Sequence, residues 1–147
     1  MKLKRHEINY CEHVLHYLKD LHHIPLNQKV YVSLLLLLFF HILFDLEGCS
    51  EDLLDDARHV RNSLFHAAIL SNSKILKIDF HQFTPQGVTG FALLADSHIS
   101  IHTWPENNVA KCDIFTCNEK CTPYKAVEYM KEAFKATELI SQEHERI

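Results

Sequence analysis

The spacing of apolar positions changes several times along this chain, and the changes divide it. Ile8, Cys11, Leu15 and Leu18 recur at helical spacing, in a stretch that runs to about Pro25. From residue 30, "VYVSLLLLLFFHILFDL" is almost continuously apolar. A membrane-spanning helix needs roughly 20 such residues. Here His41 and Asp45 interrupt the run and "EGCSEDLLDD" ends it, so its later part reads as a strand buried on both sides. The spacing then becomes helical. Ser50 stands where a cap is needed, and Glu51, Asp52, Asp55 and Asp56 place negative charge at the helix start. Leu53, Ala57, Val60, Leu64 and Ala68 line one face until "SNS" at 71–73 breaks it.

The period next falls to two. "KILKIDFHQF", "GVTGFALLA", "HISIHTW" and "AKCDIFTC" are strand candidates. In "HISIHTW", His98, Ser100, His102 and Trp104 share one face, and Ile99, Ile101 and Thr103 the other. Thr122 as cap and Pro123 at the first position open a last helix, with Val127, Met130, Phe134 and Thr137 on its face. Strand, helix, several strands, helix is the order of an α+β two-layer sandwich: an antiparallel sheet with the helices on one face. The opposite face of such a sheet meets water or a partner. Residues 1–34 read as an extension with helical periodicity, and residues 35–147 as one domain.

Composition narrows this picture. A chain of 147 residues, 47% hydrophobic and 23% charged, is long enough and apolar enough for one folded domain. A formal charge of −4 supplies no general attraction for nucleic acid. Five cysteines, odd in number and irregular in spacing, read as reduced thiols in a cytoplasm. The basic start "MKLKRHEINYCEH" leads into polar sequence, unlike a signal peptide. The expectation is a cytoplasmic protein with neither nucleic acid nor membrane as partner.

Candidate chemistry gathers in "LLADSHISIHTWPENNVAKCDIFTC", which holds Ser97, His102 and Cys117. Cys112, Cys117 and Cys121 are spaced C-x4-C and C-x3-C, not as the C-x2-C pairs of structural zinc sites, so no metal is expected even with His98 and His102 nearby. Ser97 lacks the G-x-S-x-G elbow. A Cys117/His102 nucleophilic pair is conceivable. Spacing alone favours ordinary strand residues, because cysteine is often a small buried hydrophobe.

The run "ADSHISIHTWPE", followed by "CDIFTC", resembles the prokaryotic S-adenosylmethionine decarboxylase proenzyme family. "FFHILFDLEGCSEDLLDD", "DFHQFTPQGVTGFALLADSHISIHTWPE" and "CTPYKAVEYMKEAF" extend the resemblance over roughly residues 38–145. It implies a proenzyme that cuts itself between Asp96 and Ser97. The Ser97 hydroxyl attacks the preceding carbonyl, an ester replaces the amide, and loss of the Cα proton expels the ester carboxylate. Hydrolysis of the resulting dehydroalanine leaves a pyruvoyl cofactor and ammonia. Through a Schiff base with the substrate amine, that group acts as electron sink for decarboxylation.

The same resemblance implies roles for individual residues. His102 serves self-processing, and Thr89 assists it from a position where the family often has serine. Cys117 returns a proton to the substrate. Phe83 stacks on adenine and Glu106 binds the ribose hydroxyls. His98 is read as a packing or hydrogen-bonding residue. Two processed protomers form a homodimer, and the product is the aminopropyl donor for spermidine synthesis. Asp96 departs from the family's usual glutamate. Two other readings stand beside this one: a related pyruvoyl decarboxylase of arginine or ornithine, and an unprocessed, non-catalytic partner subunit.

Overall fold

In the computed structural model, residues 39–118 and 120–146 are described; the helical periodicity read at 8–18 and the boundary at 34/35 lie outside them. Six strands form one sheet: β1 (Phe39–Glu47), β2 (Ile75–Gln82), β3 (Val88–Leu94), β4 (Ser97–Trp104), β5 (Val109–Thr116) and β6 (Glu138–Arg146). Their order is β2-β3-β4-β5-β1-β6, and every pairing is antiparallel. Among the described residues, the helices α1 (Glu51–Leu54), α2 (Ala57–Leu70) and α3 (Pro123–Ala133) complete the expected two-layer sandwich.

The alternation read in β4 holds. Ile99, Ile101 and Thr103 are buried, and His98, Ser100, His102 and Trp104 are not. Val60, Leu64 and Ala68 of α2 and Ala126, Val127 and Met130 of α3 meet Ile42, Phe44, Leu46, Ile99, Ile101 and Ile114 in one core. Gly90 lets α2 approach this closely. A Cβ there would stand 2.8 Å from Leu64 Cδ1 and 3.0 Å from Val60 Cγ1.

Four expectations are corrected. β1 is buried on one face only: Leu43 is 39% exposed, because the helices cover just the Ile42, Phe44, Leu46 side. The helix expected from Ser50 is broken at Asp55, whose carboxylate is drawn to Gln82 Nε2 (2.7 Å) and the Gly87 N–H (2.8 Å). α2 restarts beyond the break, where Asp56 accepts from the N–H groups of Arg58 and His59. Neither Ser50 nor Thr122 caps through its side chain; Thr122 Oγ1 donates instead to the Leu70 carbonyl. The last helix ends at Ala133, short of Thr137. The chain turns through Lys135 at φ +55°, and the Thr137 N–H donates to Glu47 O at 2.9 Å, leading into the unexpected strand β6 beside β1. Among the described residues, no helix is long and apolar enough to cross a membrane.

Candidate functional site

The β3–β4 hairpin turns through Ala95 and Asp96, just beyond the closing pair Leu94 and Ser97. On its other side Ser97 pairs with Thr116, so Cys117, the residue after β5, comes against the turn. Two donors converge on the Asp96 carbonyl oxygen: the Cys117 N–H at 3.2 Å and the Cys117 thiol at 3.0 Å. Asn118 Nδ2 donates to the Asp96 carboxylate at 3.1 Å and pins its side chain. Ser97 itself has φ +145°, a backbone conformation that belongs essentially to glycine. The Asp96–Ser97 junction is thus a strained backbone whose carbonyl is held by two donors, the arrangement that stabilises an oxyanion if that carbon is attacked.

The thiol of Cys117 is pushed above the ordinary cysteine range, first by burial, then by the negative charge of Asp96 and by Cys121, against a smaller opposing backbone hydrogen bond. It is therefore protonated at neutral pH and able to give a proton. Cys49 and Cys112 are buried and lie away from the turn, and burial drives the Cys49 thiol to about 11.

His98 adjoins the serine. Its Nδ1 is 3.3 Å from Ser97 Oγ, and its Nε2 is 2.8 Å from Asp113 Oδ2. The ring stacks on Phe91, with centroids 5.4 Å apart and planes at 25°. Asp113 also meets His41 Nε2 at 3.3 Å and accepts from the Ser100 hydroxyl. Thr116 carries a buried hydroxyl with no hydrogen-bond partner among the described residues, beside Ser97 in the register.

The other expected site residues form a second group. Thr89 and His102 face each other in the β3–β4 register, with Oγ1 and Nδ1 2.9 Å apart. Phe83 is 48% exposed in the β2–β3 connection. Glu106, in the 3-10 turn Pro105–Asn107, accepts from Gln86 Nε2 at 3.0 Å, which ties the two loops together. This group lies toward the far end of β4. Ser97 and His102 are about 17 Å apart at the ~3.4 Å rise of an antiparallel strand. The structure therefore brings Ser97 to Cys117 and Thr89 to His102, but keeps the two pairs apart within one chain.

Known proteins match this chain. The family profile of S-adenosylmethionine decarboxylase matches residues 40–147. The chain belongs to the S-adenosylmethionine decarboxylase family. The S-adenosylmethionine decarboxylase proenzyme of Moorella thermoacetica is 41% identical over 106 residues, which are 72% of this chain and 85% of that protein. The proenzyme of Thermodesulfovibrio yellowstonii is 42% identical over 95 residues, 65% of this chain and 70% of that one. The crystal structure of the adenosylmethionine decarboxylase from Aquifex aeolicus superposes with a TM-score of 0.69 at 40% identity, covering 74% of this chain and 90% of that one.

Sequence reasoning did not single out Asp113, Asn118 or Thr116 in this S-adenosylmethionine decarboxylase fold. Alternation places Asp113 on the open face of β5, but only the pairing of β4 with β5 sets it beside Ser100 and His98.

Proposed function

We propose that this chain is a self-processing, pyruvoyl-dependent decarboxylase of S-adenosylmethionine, acting in the cytoplasm and supplying the aminopropyl donor for spermidine synthesis. One observation carries the reading: the Asp96 carbonyl, next to the Ser97 hydroxyl, is held by both the N–H and the thiol of Cys117. A serine-derived pyruvoyl group fits this position. Its precursor needs a hydroxyl following a carbonyl that is already polarised, and Ser97 and Asp96 meet both conditions. Once formed, the group supplies a conjugated carbonyl as electron sink for loss of the substrate carboxylate.

The remaining chemistry belongs to the chain. Cys117 first steadies the oxyanion that develops on the Asp96 oxygen. After the cut its protonated thiol is the group that returns a proton to the substrate carbon. Cleavage leaves a terminal carboxylate on Asp96 in place of the carbonyl. That negative charge acts on the thiol in the same direction as the Asp96 side chain, keeping it protonated.

His102 and Thr89 serve processing, and Phe83 and Glu106 bind adenine and ribose, only if they reach Ser97. The eight residues of β4 span about 24 Å, so one protomer does not assemble these groups. A second copy laid across the open face in the opposite strand direction supplies them. A two-fold pair of this kind completes two equal sites. The open face suits such packing, with Leu43, Phe91, Leu93, Trp104 and Ile140 each about two-fifths exposed on it.

A denaturing intact mass tests the reading. Two fragments divided before Ser97, the C-terminal one lacking a free amine and reacting with a ketone reagent, are the expected result. Carbon dioxide release from S-adenosylmethionine, and none from arginine or ornithine, identifies the substrate. A single uncut chain without activity would favour a non-catalytic subunit.

A further inference from the structure

From the contacts of Ser97 we infer that His98, held by Asp113, is the base that starts self-cleavage. This rests on the self-processing reading and divides its work. His98 was expected only to pack or hydrogen-bond. Among the described residues it is the imidazole in direct contact with the Ser97 hydroxyl, at 3.3 Å, whereas His102 of the same chain lies about 17 Å along β4.

The contacts also set the tautomer. Asp113 Oδ2, 2.8 Å from Nε2, is a carboxylate oxygen that only accepts, so Nε2 carries the hydrogen. In the neutral ring Nδ1 is then bare and points its lone pair at Ser97 Oγ, which donates to it. Phe91, stacked on the ring, holds its plane. Asp113 is held in turn by His41 and Ser100, so its carboxylate is not free to leave the ring. On a regular strand, neighbouring side chains point to opposite faces. Ser97 and His98 nonetheless meet, and the φ of +145° at Ser97 marks where the strand departs from regular geometry.

The step balances within the chain. The Ser97 Oγ bonds to the Asp96 carbonyl carbon as its proton passes to His98 Nδ1. The carbonyl electron pair moves onto the oxygen that Cys117 holds. Collapse breaks the carbon–nitrogen bond, and the proton on Nδ1 goes to the departing Ser97 nitrogen. The product is an ester and a free amine, with no net gain or loss of protons. His98 is a catalytic residue of this step, and Asp113 is a positioning residue that acts through the ring.

The test is the rate of chain cleavage by intact mass in wild type, His98→Ala and His98→Asn, with Ser97→Ala as the uncuttable control. Asparagine places an amide oxygen near the position of Nδ1. It can orient the serine hydroxyl but does not take a proton. Both His98 variants are expected to cut on the order of 10²–10⁴ slower, as for loss of a general base. Their uncut chain should resist hydroxylamine, which opens esters and spares amides. In folded Ser97→Ala protein, nitrogen-15 shifts of the His98 ring should report hydrogen on Nε2. That measurement stands even where a His98 variant does not fold. Wild-type cutting by either His98 variant, build-up of a hydroxylamine-labile ester, or hydrogen on Nδ1 would overturn the inference. An uncut wild-type chain would overturn the self-processing reading as well.

Discussion

Replacing Cys117 separates the two tasks proposed for its side chain. In the uncut chain its thiol is one of two donors on the Asp96 oxygen, at 3.0 Å, with its own N–H the other, at 3.2 Å. Cys117→Ala removes the first and leaves the second. Loss of one oxyanion donor costs about 10²–10³ in rate. A thiol is a weak donor and the backbone donor remains, so cleavage should slow by about 10²-fold at most, roughly 2.7 kcal/mol in barrier. Turnover has no such reserve, because the N–H cannot give up a proton. Removing a general acid costs about 10²–10⁴, so fully cut Cys117→Ala protein should be slower than its parent by that factor. Cys117→Ser is the sharper variant. Its hydroxyl keeps the second donor, so cleavage should stay near the parent rate, but it is a far weaker acid than a thiol, so turnover should still fall. Cleavage is followed by intact mass, and turnover by release of labelled carbon dioxide from carboxyl-labelled S-adenosylmethionine, with rates normalised to cut chain. Parent-rate turnover by either variant would refute the assignment of the thiol as proton donor. Parent-rate cleavage by Cys117→Ala would show that the thiol contact with Asp96 does nothing in maturation.

Mixing Ser97→Ala with His102→Ala tests whether a site is shared between copies: His102→Ala chains should stay whole alone, and about half should be cut when co-expressed in equal amounts with Ser97→Ala, by random pairing into two-fold dimers. His102→Ala chains that never cut in the mixture would place His102 outside any shared site. Glu106→Gln and Phe83→Ala should raise KM for S-adenosylmethionine while leaving chain cleavage unchanged; steady-state kinetics on cut protein decides, and an unchanged KM removes them from the substrate contacts. Turnover should be level through neutral pH and fall on the alkaline side, as pH rises through the raised Cys117 value. Asp96→Asn removes one cause of that rise and should move the alkaline limb of the kcat profile to lower pH, whereas an upward move would contradict the charge argument. Thr103→Val should destabilise by about 3 kcal/mol, because the buried Val88 N–H loses its acceptor at 2.7 Å and the Leu54 carbonyl its donor at 2.8 Å. A chemical denaturation midpoint equal to the parent's would refute that value.

What the sequence determined by itself is local. The alternation in "HISIHTW" sorted the faces of β4 correctly, because a strand's period of two needs no knowledge of its neighbours. The long run of residues shared with decarboxylase proenzymes identified the family and named Ser97, Cys117, Thr89 and His102. Partners decided the rest. Asp55 left its helix for Gln82 and Gly87, and neither the pattern nor the charges around it announce those contacts. β6, with "LISQEHER" between Glu138 and Arg146, is too polar to read as a strand and is one because β1 offers an unpaired edge. Only the register of β4 with β5 brings Cys117 onto the Asp96 carbonyl and Asp113 onto His98, since hydrogen bonds between residues fifteen to twenty-one positions apart depend on which strands lie side by side. Ser97 and His102 are kept apart by the length of β4 itself, the strand that carries both.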